Sequence, residues 1–142
     1  MTQEHKLRVF YNASCPVCSR EIAHYRQAAE RARAGVQFSD TESDDIKALG
    51  MTPDDARRRL HVLDGGELKA GLAAFRALWR RIPRWRWLAA VTGWPGVRQG
   101  AEWVYEGALA PGLYRWDRHR RWRARRRMTR AARARIRSRP AA

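Results

Sequence analysis

Apolar positions along the chain recur with two different periods, and each period predicts an element. Leu7-Arg8-Val9-Phe10-Tyr11 is a short apolar run of the kind a buried strand presents. Next, Cys18, Ile22, Tyr25, Ala29 and Ala32 recur at spacings of 4, 3, 4 and 3, while Arg20, Arg26, Glu30 and Arg33 fall off that line. This is the stripe of an amphipathic helix. It predicts a helix over 16–34, with Pro16 at the first helical position and Gly35 as its stop. Val36–Asp40 alternates as a second strand, and an acidic irregular connection follows it (Asp40, Glu42, Asp44, Asp45). Thr52-Pro53 then opens a short helix as N-cap and first residue.

Leu60–Asp64 and Glu67–Ala70 flank Gly65-Gly66 and predict a β-hairpin. Leu72, Phe75, Leu78, Trp79 and Ile82 mark one side of a helix over 71–82 that Pro83 ends. Two more helical stretches are expected, over 85–92 and over about 97–109, the last closing at Pro111-Gly112. The predicted order is β-α-β-α-β-β-α followed by extra helices. At the first strand–helix junction stand the only two cysteines, in Cys15-Pro16-Val17-Cys18. That spacing at that junction, within that order, predicts an α/β thioredoxin-like domain over 5–114.

Charge divides the chain. Of the net +16, +12 lies between Arg115 and the end, where 13 arginines meet a single acid, Asp117. Residues 115–142 are therefore expected to form an arginine-rich extension, helical or disordered. The first residues carry no apolar leader and no run reaches the length of a membrane span, which predicts a cytoplasmic protein. In a reducing compartment a Cys-x-x-Cys pair points to redox chemistry or metal binding rather than to a structural staple.

The chemistry follows from where the pair sits. A helix N-terminus offers unpaired N–H groups and the positive end of the helix dipole. A thiolate held there can titrate at about 7 or below instead of about 8.5. Helical phase puts Cys15 at the open helix mouth and Cys18 on the core-facing stripe. Cys15 is therefore expected to be the exposed nucleophile and Cys18 the buried resolving thiol.

The stretch from Val9 to Glu21, with Leu60–Asp64, Gly71-x-x-Ala74-Phe75-Arg76-x-Leu78 and Pro83-x-Trp85-x-Trp87-Leu88-Ala89, resembles the DCC family of thiol-disulfide oxidoreductases. This is a thioredoxin-like group named for an Asp-x-x-Cys-x-x-Cys motif. The resemblance covers roughly 7–114 and implies thiol–disulfide exchange of the protein-disulfide reductase type, through a redox-active Cys15–Cys18 disulfide. It implies no metal and no organic cofactor. The expected partners are a disulfide-containing protein or small thiol as substrate, and a partner reductase or glutathione-type donor. Two departures stand out. The family's Asp is Asn12 here, and an amide can hydrogen-bond but cannot take a proton from a thiol. Arg59, rather than a proline, precedes the third strand. Asn12, Ser14 and Pro16 are the expected supporting residues.

Other signals are weaker. A tetrahedral metal site wants four ligands, and only one Cys-x-x-Cys exists beside scattered His5, His24, His61 and His119. His24 falls off the core stripe and His61 lies in a hairpin strand. Trp79, Trp85, Trp87, Trp94 and Trp103 suit a core and its helical cover, or else a groove for an apolar substrate. Over 115–139 arginines interleave with Trp116, Trp122, Met128 and Ile136. That composition suits nonspecific contact with nucleic acid or an anionic membrane. A non-catalytic binding module using this tail is the alternative function.

Overall fold

The computed structural model describes residues 6–137. The expected domain start at residue 5, His5, and the tail positions 138–142 lie outside the described residues. Strand β1 (Leu7–Tyr11) runs into helix α1 (Pro16–Arg31), and β2 (Val36–Asp40) returns parallel to β1. Two short helices follow, α2 (Asp44–Ala48) and α3 (Pro53–Arg57). Strands β3 (His61–Asp64) and β4 (Glu67–Ala70) form the hairpin, and helix α4 (Leu72–Arg81) closes the domain. The sheet order is β2-β1-β3-β4, with β3 antiparallel to both neighbours. This is the mixed α/β, thioredoxin-like arrangement the element order predicts.

Period-2 geometry in β1 divides the core. Leu7 and Val9 face α1 and α4, where they meet Ile22, Tyr25, Ala29, Ala74 and Leu78. Phe10 points to the opposite face and packs on Ile46 and Ala56 of α2 and α3. The acidic connection, expected to be irregular, thus contains a helix, α2. Ser43 precedes it, and Ile46 supplies its one buried contact. Thr52 caps α3 as expected, its hydroxyl accepting from the Asp55 N–H at 3.2 Å. Helix α1 ends at Arg31 rather than at 34. Arg33 turns into the left-handed region at φ 49° and draws the chain off the helix before Gly35. Gly71 starts α4 at φ 64° and ψ −136°, a conformation that glycine adopts without strain and residues with a Cβ do not.

Beyond α4 a single 3₁₀ turn (Pro83–Trp85) leads to α5 (Arg86–Val91) and α6 (Pro95–Val104). Pro111-Gly112 does not end the helical region. A π turn over Tyr105–Leu109 passes straight into α7 (Ala110–Arg137), where Pro111 sits in the first turn. Pro111 has no N–H to give, and the π turn, in which the Ala110 N–H reaches the Tyr105 carbonyl, interrupts the i→i+4 ladder just before it. The break expected between 114 and 115 therefore falls inside one helix. Trp79 and Trp85 pack against the main core, but Trp87, Trp94 and Trp103 are exposed, Trp103 at 83%. Among the described residues no helix is long and apolar enough to cross a membrane.

Candidate active site

Where β1 ends, the chain makes a tight turn that delivers the cysteines to the start of α1. The Asn12 side-chain carbonyl accepts from the Ser14 N–H at 3.1 Å and from the Ser14 hydroxyl at 2.6 Å. The Cys15 N–H donates to the Asn12 backbone carbonyl at 3.2 Å. Ser19 donates its hydroxyl to the Ala13 carbonyl at 2.8 Å, closing the turn from the helix side. Cys15 is the N-cap of α1 and Pro16 its first residue. Ser14 thus braces the turn through Asn12, and Pro16 fixes the helix start.

The exposures of the two thiols are the reverse of the expectation. Cys15 is 1% exposed, while Cys18 is half-buried. Helical phase describes only the helix's own faces, and here another element covers the mouth. The start of α7 lies over the Cys15 turn. Asp117 of α7, 2% exposed, accepts a 2.9 Å hydrogen bond from the Asn12 amide. Arg120 reaches from the same carboxylate, at 3.0 Å, to the Ser14 carbonyl, and Arg121 pairs with it at 2.7 Å. Cys18, at the near end of the α1 stripe, lines an open space, and Ile22, one turn on, borders that space while buried in the core.

That space is a cavity of about 730 Å³. Its floor comes from the sheet domain (Ile22, Leu72, Phe75), and its cover from α6 and α7 (Ala101, Val104, Leu113). Both cysteines, Asn12 and Asp117 lie on its wall, and Arg57, Arg58 and Arg59 form one side. The place before β3 that Arg59 and Leu60 occupy is therefore part of the site. Trp79 is the single tryptophan on the wall, its indole N–H donating to Tyr25 at 3.1 Å.

Burial is the main cause that pushes the Cys18 thiol up, to about 12, followed by its hydrogen bond and charge interaction with Cys15. The Glu21 and Asp117 carboxylates add to this. Cys18 consequently keeps its proton at neutral pH. Burial likewise raises the Tyr105 phenol, whose oxygen accepts the Leu60 N–H at 3.1 Å. His61 is buried with an unpartnered Nδ1 and is lowered by desolvation, whereas His24 is exposed on α1. No cluster of three or more His, Cys, Asp or Glu among the described residues could hold a metal ion.

A free dithiol at a strand–helix junction, one cysteine at the N-cap position and the other thiol held protonated, is equipped for disulfide exchange. The DCC1-like thiol-disulfide oxidoreductase family model matches residues 9–119. The chain belongs to this family. The matched range runs past the expected domain end at 114 and takes in Asp117. No curated protein matches the chain, and no solved structure does. Within this DCC1-like domain Asp117 is the residue that sequence reasoning missed. Its one signal is its position as the lone acid among the tail arginines.

Proposed function

We propose that the protein is a disulfide reductase in which Cys15 is the nucleophile and Cys18 the resolving thiol. The observation that carries this reading is the asymmetry of the pair: Cys15 stands at the N-cap position of α1, and burial beside Cys15 holds the Cys18 thiol protonated. The Cys15 thiolate attacks one sulfur of a disulfide R–S–S–R′. A Cys15–S–R bond forms and R′S⁻ departs. Cys18 then gives up its proton, which the departing thiolate takes, and attacks the Cys15 sulfur. The Cys15–Cys18 bond forms and the second thiolate leaves. The substrate gains two electrons and the dithiol loses two. A cytoplasmic small thiol or partner reductase restores the dithiol, so no metal or organic cofactor enters.

Turnover of a disulfide by the native protein, Cys15→Ser and Cys18→Ser tests it. Activity should vanish in both variants, and Cys18→Ser should accumulate the mixed disulfide on Cys15. Trapping on Cys18 in Cys15→Ser at an equal rate reverses the roles, and a native protein without turnover sinks the reading.

A second reading gives the work to the tail, as a binding module for nucleic acid or an anionic membrane. In its favour, every residue of α7 from 122 to 137 is exposed, and the sequence from 118 onward holds no acid. Deleting 122–142 separates the two. Exchange activity survives on the first reading, and salt-sensitive binding to polyanions is lost on the second.

A further inference from the structure

We infer that the cavity beside the dithiol is the substrate pocket, and that its substrate is a small, apolar disulfide rather than the disulfide of a folded protein. The inference rests on the reductase reading and names what that site takes. Its first support is access. Cys15 is 1% exposed with Asp117 and Arg120 holding α7 across its turn, which keeps off a disulfide standing on another protein's surface, and a disulfide seated in the cavity reaches its sulfur with a local shift of that turn. The open approach to the pair is the cavity onto which Cys18 faces. At about 730 Å³ it lies within the size range of small-molecule sites.

The second support is the bonding already spent in the wall. A peptide segment entering the cavity would bring backbone N–H and C=O groups that need partners, at about 1–3 kcal/mol for each one left unpaired. Most of the wall's buried polar groups are already engaged. The Asn12 amide serves Asp117 and its carbonyl serves Ser14. The Tyr105 hydroxyl accepts from Leu60, and Tyr114 donates to Asp54 at 3.0 Å. The Thr92 hydroxyl donates to the Leu88 carbonyl at 2.6 Å. Arg57 Nε is the one buried side-chain atom of the wall without a partner.

Most of the wall's charge is spent in the same way. Arg57 pairs with Glu42, Arg58 with Asp54 at 3.4 Å and Arg59 with Glu106 at 3.2 Å. Asp117 is paired with Arg120 and Arg121. An anionic substrate would find each arginine of the wall already paired, while Glu21, also on the wall, accepts from Tyr25 at 3.2 Å and has no cation partner among the described residues. What remains for contact is carbon: Ile22, Leu72, Phe75, Ala101, Val104 and Leu113. These surfaces favour a hydrocarbon body on each side of the S–S bond. The reaction is then R–S–S–R plus the Cys15–Cys18 dithiol giving two R–SH and the protein disulfide, with two electrons and two protons passing to the substrate.

The test is reduction of symmetrical dialkyl disulfides of increasing chain length, beside bis(2-hydroxyethyl) disulfide and insulin, each with excess dithiothreitol as donor and its background subtracted. For the native protein kcat/KM should rise about fourfold per buried methylene until the cavity is full. Apolar disulfides should outrun both polar references. In Ala101→Phe, which puts a ring into the cavity, the apolar-to-hydroxyethyl preference should fall at least tenfold. Equal kcat/KM across the series, or a preference for insulin, overturns the substrate assignment and leaves the reductase reading standing. No turnover of any disulfide, with Cys15 and Cys18 both alkylated after unfolding, overturns the reductase reading and this inference with it.

Discussion

In Asn12→Asp the amide that donates to Asp117 becomes a second carboxylate, facing the first across the 2.9 Å gap the hydrogen bond now spans. Two like charges about 3 Å apart repel by about 5–6 kcal/mol at an effective dielectric of about 20. Protonating one of them costs less, about 4 kcal/mol at pH 7 for a carboxyl that ordinarily titrates at about 3.9. Protonation is therefore the route taken, and it sets the ceiling on the loss of stability. Once protonated, the introduced carboxyl again donates to Asp117, so little is added for the hydrogen bond, and Arg120 and Arg121 lower the ceiling further. The sign with pH follows. The new carboxyl has its folded pKa raised, so the folded state holds a proton the unfolded chain releases, and stability returns as pH falls. At pH 5 the deficit should be about 1.5 kcal/mol or less. Urea unfolding of both proteins at pH 7 and pH 5, at equal m, measures it. The exchange Asn12→Asp/Asp117→Asn should recover part of the pH 7 loss. A loss that neither shrinks between pH 7 and pH 5 nor is relieved by the exchange would refute the buried contact between α7 and the cysteine turn.

Three further outcomes are expected. Cys18 should alkylate far more slowly than a free thiol at pH 8. In Cys15→Ser its titration should move down while staying above the ordinary value, because burial remains when the Cys15 partner goes; free-thiol reactivity in that variant would contradict the burial. His61, lowered by desolvation, binds its proton less readily folded than unfolded, so its contribution is complete above about 6.5 and is lost as pH falls below that. His61→Leu should flatten the decline in urea midpoint between pH 7.5 and 5, and an unchanged slope would count against it. Ending the chain after Arg121 should leave stability within about 0.5 kcal/mol. Ending it after Tyr114 removes Asp117 and should cost about 1–3 kcal/mol while exposing Cys15 to alkylation; identical behaviour of the two truncations would show that Asp117 fastens nothing.

The sheet domain is legible in the sequence because its signals are local. Gly65-Gly66 lie at φ 58° and 90°, the conformation a two-residue hairpin turn demands. Thr52-Pro53 announces α3 through chemistry confined to four residues. The site is legible in its residue types and illegible in its cover. The Asn12–Asp117 bond joins positions 105 apart, and no periodicity reports such a contact. The expected exposures of Cys15 and Cys18 are inverted for the same reason, since the α1 stripe says nothing of what α7 lays across its mouth. Pro111-Gly112 reads as a stop because the preceding π turn, which lets a new helix begin there, has no pattern of its own. Size alone argues for burying Trp87, Trp94 and Trp103, and they stand outside.

The burial of Cys15 turns that residue into a built-in gauge of local opening. In a Cys18→Ser background, a bulky charged alkylating reagent can reach Cys15 only when α7 lifts from the turn. When reclosing outpaces labelling, the observed rate is the intrinsic thiol rate multiplied by the open fraction. One thiol then reports the free energy with which the C-terminal helix is held down. It does so residue by residue as Asn12, Asp117 and Arg120 are changed, and without unfolding the protein.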